Sequence, residues 1–145
     1  MDKQSWLNQI EQLRGTLHGM GFEIIEETDT EDRVCLEDRV VHINSRCHPE
    51  TRFYTILHEL GHIMVAENSE AFSADHPMYV HSSDIPSDGR RERGKAYKVS
   101  LISEEIESWK IGRRFAANQG LWIDNEKYNK HMTEAIISYI DWAAE

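Results

Sequence analysis

The chain has 145 residues, 39% of them hydrophobic, and a formal net charge of −10 at neutral pH. That length suits one domain, residues 1–145, built on one modest core. The acidic balance argues against a broad phosphate-binding surface, so no direct nucleic-acid partner and no attraction to anionic membranes is expected. No apolar run is long enough to span a bilayer, and residues 1–20 lack the apolar core of a secretion signal. Cys35 and Cys47 have no metal-type spacing and read as free thiols. The expected location is therefore the reducing cytoplasm.

Trp6, Ile10, Leu13 and Leu17 recur at helical spacing and predict an amphipathic helix over residues 3–18, stopped by Gly19 and Gly21. Residues 22–28 read as a strand, and the acidic run 26–32 as a turn. Residues 33–36 and 39–44 flank Glu37-Asp38 and predict a hairpin. Pro49 suits the first position of a helix, because its missing donor would be unpaired there anyway. That helix should run over 49–66 and bury Phe53, Ile56, Leu57, Leu60 and Met64. Residues 67–100 are expected to form a flexible loop that shapes a site, with short strands at 78–80 and 96–99. Within it, Arg90-Arg91-Glu92-Arg93, with Lys95 and Lys98 nearby, reads as a solvated charge run. Helix returns near Ser103 and ends at Gly120. A final helix starts at Asp124 as N-cap and buries Tyr128, Met132, Ala135, Ile136, Tyr139, Ile140 and Ala143. The fold class is α+β: a small antiparallel sheet of about three strands, packed with an active-site helix, a ligand-bearing helix and terminal helices.

The chemistry centres on His58-Glu59-Leu60-Gly61-His62. Residues i and i+4 of a helix lie one above the other, so two imidazoles there can share one metal ion. Glu59 sits a step around the cylinder, where a general base is needed. His58 and His62 fall nearly opposite the apolar stripe and must face solvent or a second wall. Zinc with two histidines needs a third protein ligand and an open position. Glu104, Glu105 and Glu107 are the pool. Glu104 and Glu107 share a face, one turn apart, while Glu105 is expected to point elsewhere. His42 and His48 lack ligand spacing to His58 and take structural roles. Gly61 reads as a place where a neighbouring segment approaches the helix.

Residues 39–45, the Pro49-Glu50-Thr51-Arg52 helix start and His58-Glu59-Leu60-Gly61-His62 together resemble the ImmA/IrrE-type zinc metallopeptidases, a gluzincin-like family. In that family a strand ending Ile-Asn leads through a Pro-Glu-Arg-like start into His-Glu-Leu-Gly-His. A downstream helix carries Glu-Ala-Asn-x-Phe-Ala, whose glutamate is the third ligand. Laying Glu107-Ser108-Trp109-Lys110-Ile111-Gly112 on that pattern makes Glu107 the expected ligand, with Glu104 the alternative. The resemblance implies His58, His62 and Glu107 on Zn2+, Glu59 as general base, and an endopeptidase. It also implies a specific protein substrate, such as a DNA-binding repressor or another regulator. A second donor for the oxyanion would come from Tyr79, Tyr97, His76, His81 or the arginines near residue 91. If the strand at 39–44 is a sheet edge, an extended substrate could pair with it. The competing reading is a non-catalytic zinc-binding module that recognises a partner protein; a weaker one is an adaptor with a vestigial motif.

Overall fold

Asp2 begins the first helix: its carboxylate accepts a 2.8 Å hydrogen bond from the Ser5 backbone, and α1 (Lys3–Gly19) follows. The computed structural model describes residues 1–76 and 94–145. Gly21, at φ 87°, turns the chain out of the helix. Next come β1 (Glu23–Glu27), β2 (Arg33–Cys35) and β3 (Val40–Asn44). β2 and β3 form the expected hairpin, with Cys35 opposite Val40. Arg39 closes its turn at φ 56°. The guanidinium of Arg39 lies 5.0 Å from the Phe22 ring centroid and donates to the Met20 carbonyl at 3.2 Å.

The three expected strands are present, but the sheet is mixed rather than antiparallel. Its order is β1-β3-β2, with β1 parallel to β3. β3 takes the centre because it is the most apolar strand, with Val41 and Ile43 fully buried. The strand at 39–44 is therefore not a sheet edge: β3 is hydrogen-bonded on both sides, and the outer strands are β1 and β2.

α2 (Pro49–Glu67) starts as its proline predicts. His48 caps it, its Nδ1 accepting from the Glu50 backbone at 3.1 Å. α3 (Ser69–Asp75) and α4 (Lys95–Asn118) replace both described ends of the expected loop. Residues 96–99 are helix, not strand. Tyr97 and Val99 suit a strand face, but the chain buries Ser100 and leaves Val99 47% exposed. The expected strand at 78–80 lies outside the described residues. Gly120, at φ 68°, ends α4. Asp124 caps α5 (Asn125–Ala143), accepting from the Lys127 backbone at 3.2 Å. Only Tyr128 of α5 is fully buried, and Ile140, expected inside, is half exposed. α5 folds back along α4, with Arg113 over Tyr128 near its start and Tyr97 and Lys98 against Trp142 near its end.

Leu13 and Leu17 of α1, Val41 and Ile43 of β3, and Phe53, Ile56, Leu57 and Leu60 of α2 make one core. α2 is its axis, with α1 and the sheet on one side and α4 on the other. The α2–α4 crossing is unusually close. A Cβ on Gly61 would lie 2.0 Å from the Ser108 carbonyl oxygen, and one on Gly112 would lie 2.7 Å from that of Leu57. Each helix thus contributes a glycine that lets the other's backbone in, as expected for Gly61. Among the described residues no helix is long and apolar enough to cross a membrane.

Candidate metal centre

His58 and His62 leave the apolar face of α2, and the wall they meet is α4. Its inward face is set by small residues: Ser108, Gly112 and Ala116 are all buried, which permits the close crossing. Glu105 stands one turn before Ser108 on that same face, with a relative exposure of 2%. Its Oε1 is 2.8 Å from His58 Nε2 and its Oε2 is 3.1 Å from His62 Nε2. The two Nε2 atoms are 2.9 Å apart. One ligand atom from each of His58, His62 and Glu105 lies within 4.8 Å of the others.

The structure therefore departs from the expected geometry of the third carboxylate. Glu107 is two residues further round the helix; its Oε1 is 3.1 Å from Arg114 Nη2, and it lines a separate recess with Phe72 and Ile111. Glu104 sits behind the cluster, its Oε2 2.9 Å from His62 Nδ1. Glu105 lies off the face shared by Glu104 and Glu107. That off-face position is the one that looks at α2. A signal for it exists in the chain. The aromatic residue of the Glu-Ala-Asn-x-Phe-Ala pattern follows its glutamate by four, as Trp109 follows Glu105. The Ser108, Gly112 and Ala116 series marks the same face.

Trp109 and Tyr139 also stand at the site, a role their place in the sequence does not reveal. The Trp109 indole donates Nε1–H to Glu105 Oε1 at 3.0 Å and stacks on the His58 ring, with centroids 4.2 Å apart and planes at 8°. The Tyr128 hydroxyl donates to the Trp109 carbonyl from below. Burial and the charges of Glu105, Glu59 and Glu104 hold the Tyr139 phenol well above its ordinary range. Ser108 Oγ donates to the Glu104 carbonyl at 2.7 Å and lies 3.1 Å from His62 Nδ1. Such partners hold donor groups in orientation.

The electrostatics follow from this crowding. Burial alone would push His62 down, but hydrogen bonds to Glu104 and Glu105 and the nearby Glu59 charge raise it to about 10. Glu105 is opposed by burial, yet bonds to the two histidines carry it well below the usual carboxylate range. Glu59 is 5% exposed. Burial pushes it upward, partly offset by the charges of His58 and His62. Asp32, just before β2, is also raised by burial, although it accepts from the Asn44 backbone at 2.7 Å. It lies close enough to His58 and Glu59 to act on both.

The donor chemistry fits a metal ion. Two imidazole nitrogens and a carboxylate match a three-ligand set with an open position. A tetrahedral ion with bonds near 2.05 Å would hold donor atoms ~3.3 Å apart. The present spacings of 2.8 to 3.1 Å lie within a few tenths of that. His76 is elsewhere, stacked on Phe72 and 3.0 Å from its carbonyl oxygen. Tyr97 packs against Trp142. Tyr79, His81 and the arginines near residue 91 lie outside the described residues. His48 is a helix cap, and His42 is paired in mid-sheet between Ile25 and Arg33.

A helix-borne pair of histidines with an adjacent buried glutamate, faced by a carboxylate from a second helix, is a metallopeptidase-type site. The profile of the family described as IrrE N-terminal-like domain (Peptidase_M78) matches residues 22–97, and the chain belongs to that family. The match runs from the sheet through α2 into the first turn of α4 and stops short of Glu105. No curated protein and no solved structure matches the chain.

Proposed function

We propose that the protein is a zinc-dependent endopeptidase that cleaves a specific protein substrate. The observation that carries this reading is the convergence of His58, His62 and Glu105 beside the buried Glu59. A purely structural site has no use for that last carboxylate. His58, His62 and Glu105 would hold the ion. Zinc there would supply Lewis-acid polarisation of a peptide carbonyl and make a water molecule more acidic. Glu59, made more basic by burial, takes the proton of the attacking water and passes it to the leaving amine. Trp109 fixes the His58 ring and one oxygen of Glu105, so the donors do not need to reorganise. The outer strand near the site is β2, with Asp32 at its start, and an extended peptide would add along that edge. The family resemblance supports a repressor or other regulator as substrate, met in the cytoplasm.

The test has two stages. Purified protein should carry about one zinc per chain, lost in His58→Ala. Cells making wild type or Glu59→Gln are then compared by proteomics for fragments present only with the former. If zinc binds but the two proteomes match, the peptidase reading fails and a zinc-dependent binding module replaces it.

A further inference from the structure

A recess of about 280 Å³ lies between α4 and α5, lined by Leu101, Ser138, Tyr139 and Trp142. Leu101 lies one turn before Glu105 on α4, and the Tyr139 hydroxyl on α5 lies close enough to Glu105 for that charge to act on it. Leu101 thus places the recess one helical turn from the donor cluster along α4. Its volume falls just below the usual range for whole small-molecule ligands, ~300–1,000 Å³. One side chain is the natural occupant.

The walls select the chemistry of that side chain. Leu101 and two aromatic rings are apolar, and Tyr139 and Trp142 meet edge to face at 6.4 Å. An acidic group would face Glu59, Glu104 and Glu105, all close enough to act on the Tyr139 hydroxyl. A basic group would compete with Lys98, whose ammonium already stands 5.4 Å from the Trp142 ring centroid. Lys98 is anchored there by the Ala143 and Glu145 carbonyls at 3.1 and 3.3 Å. A neutral, apolar group meets no such obstacle.

We infer that this recess is the specificity pocket of the site, receiving a large apolar or aromatic side chain that flanks the scissile bond. The inference rests on the metallopeptidase reading. Full burial of a Phe- or Leu-sized group is worth ~1.5–3 kcal/mol, or roughly tenfold to a hundredfold in affinity.

The test uses the zinc-loaded full chain and calorimetric titration with hydroxamic acids, in which the hydroxamate seeks the metal. Their adjacent carbon bears benzyl, isobutyl, methyl, carboxyethyl or aminobutyl groups. Benzyl and isobutyl compounds should bind at least about tenfold tighter than methyl, and the two charged compounds no tighter than methyl. Leu101→Trp should bring the benzyl-to-methyl ratio close to one. Ser138→Trp, at an exposed helix position with little risk to folding, should do the same. Equal affinities across the series, or a ratio untouched by both variants, would overturn the pocket while leaving the metal centre standing. Failure of even acetohydroxamate to bind would overturn the metal centre and the pocket with it.

Discussion

The crossing of α2 over α4 invites a test with opposite signs at two glycines. Alanine at Gly61 places a methyl 2.0 Å from the Ser108 carbonyl oxygen and 2.6 Å from its carbon. The obstacle is backbone, which cannot rotate aside, so the helices must part. Overpacking costs ~1–3 kcal/mol, and a rigid obstacle belongs at the upper end. Alanine's better helix propensity returns at most about 1 kcal/mol. The net loss is then roughly 2 kcal/mol, or a fall of about 6 °C in Tm for a chain of this size. Gly15 is the control: it lies in the interior of α1, exposed, and a Cβ there meets nothing within 4 Å. Gly15→Ala should gain up to about 1 kcal/mol from propensity alone. Urea and thermal unfolding of both variants, without metal, read the two effects. Parting the helices also draws Glu105 from the histidines, so Gly61→Ala should bind zinc more weakly. A Gly61→Ala protein as stable as wild type, with unchanged zinc affinity, would refute the close crossing.

Three further outcomes follow from the site. Glu105→Gln should weaken zinc binding by at least about a hundredfold, at or beyond the upper end of what loss of an outer partner costs; Glu107→Gln should change it less than about threefold, and competition with a chromophoric chelator separates the two. Trp109→Phe keeps the stack on His58 but removes the bond to Glu105, and should cost about 10- to 100-fold in zinc affinity with little loss of fold. His62, raised to about 10, keeps its proton in the metal-free chain at pH 7.5. Zinc uptake there should release about one proton from it, measured by calorimetry in buffers of different ionisation enthalpy, and the release should fade as pH rises through 10. The same elevation adds stability to the metal-free chain that is fully present below the unfolded value near 6.5. It is lost as pH rises through about 10.

Much of this architecture was readable because it repeats in apolar residues. α1 and α2 show their buried stripes openly, and Pro49 and Asp124 mark helix starts by their backbone chemistry. The histidine pair was legible for a related reason: it is a local spacing on one helix, and its departure from the apolar stripe required a second wall. What hid was the wall itself. The face of α4 that meets α2 is built of Glu105, Ser108, Gly112 and Ala116, so hydrophobic periodicity misses it. Choosing among three nearby glutamates needed the rotation of α4, and that is set by backbone contact at Gly61 and Gly112. Tyr139 was legible as a stripe residue of α5, but where its hydroxyl lies depends on how α5 folds back along α4. The order of the sheet was hidden too, because a hairpin does not say where the preceding strand will pair.

The two glycines also bear on when the site comes into being. His62 and Ser108, which touch at the crossing, are 46 residues apart in the chain. Closing so long a stretch costs conformational entropy before any contact returns it. The histidine pair forms as soon as α2 does, but the complete donor set waits for this long-range docking. A chain still on its way to the native state therefore offers an incoming ion only two of its three donors. An ion taken up by this site would meet all three donors only late in folding, and would then slow the separation of α2 from α4.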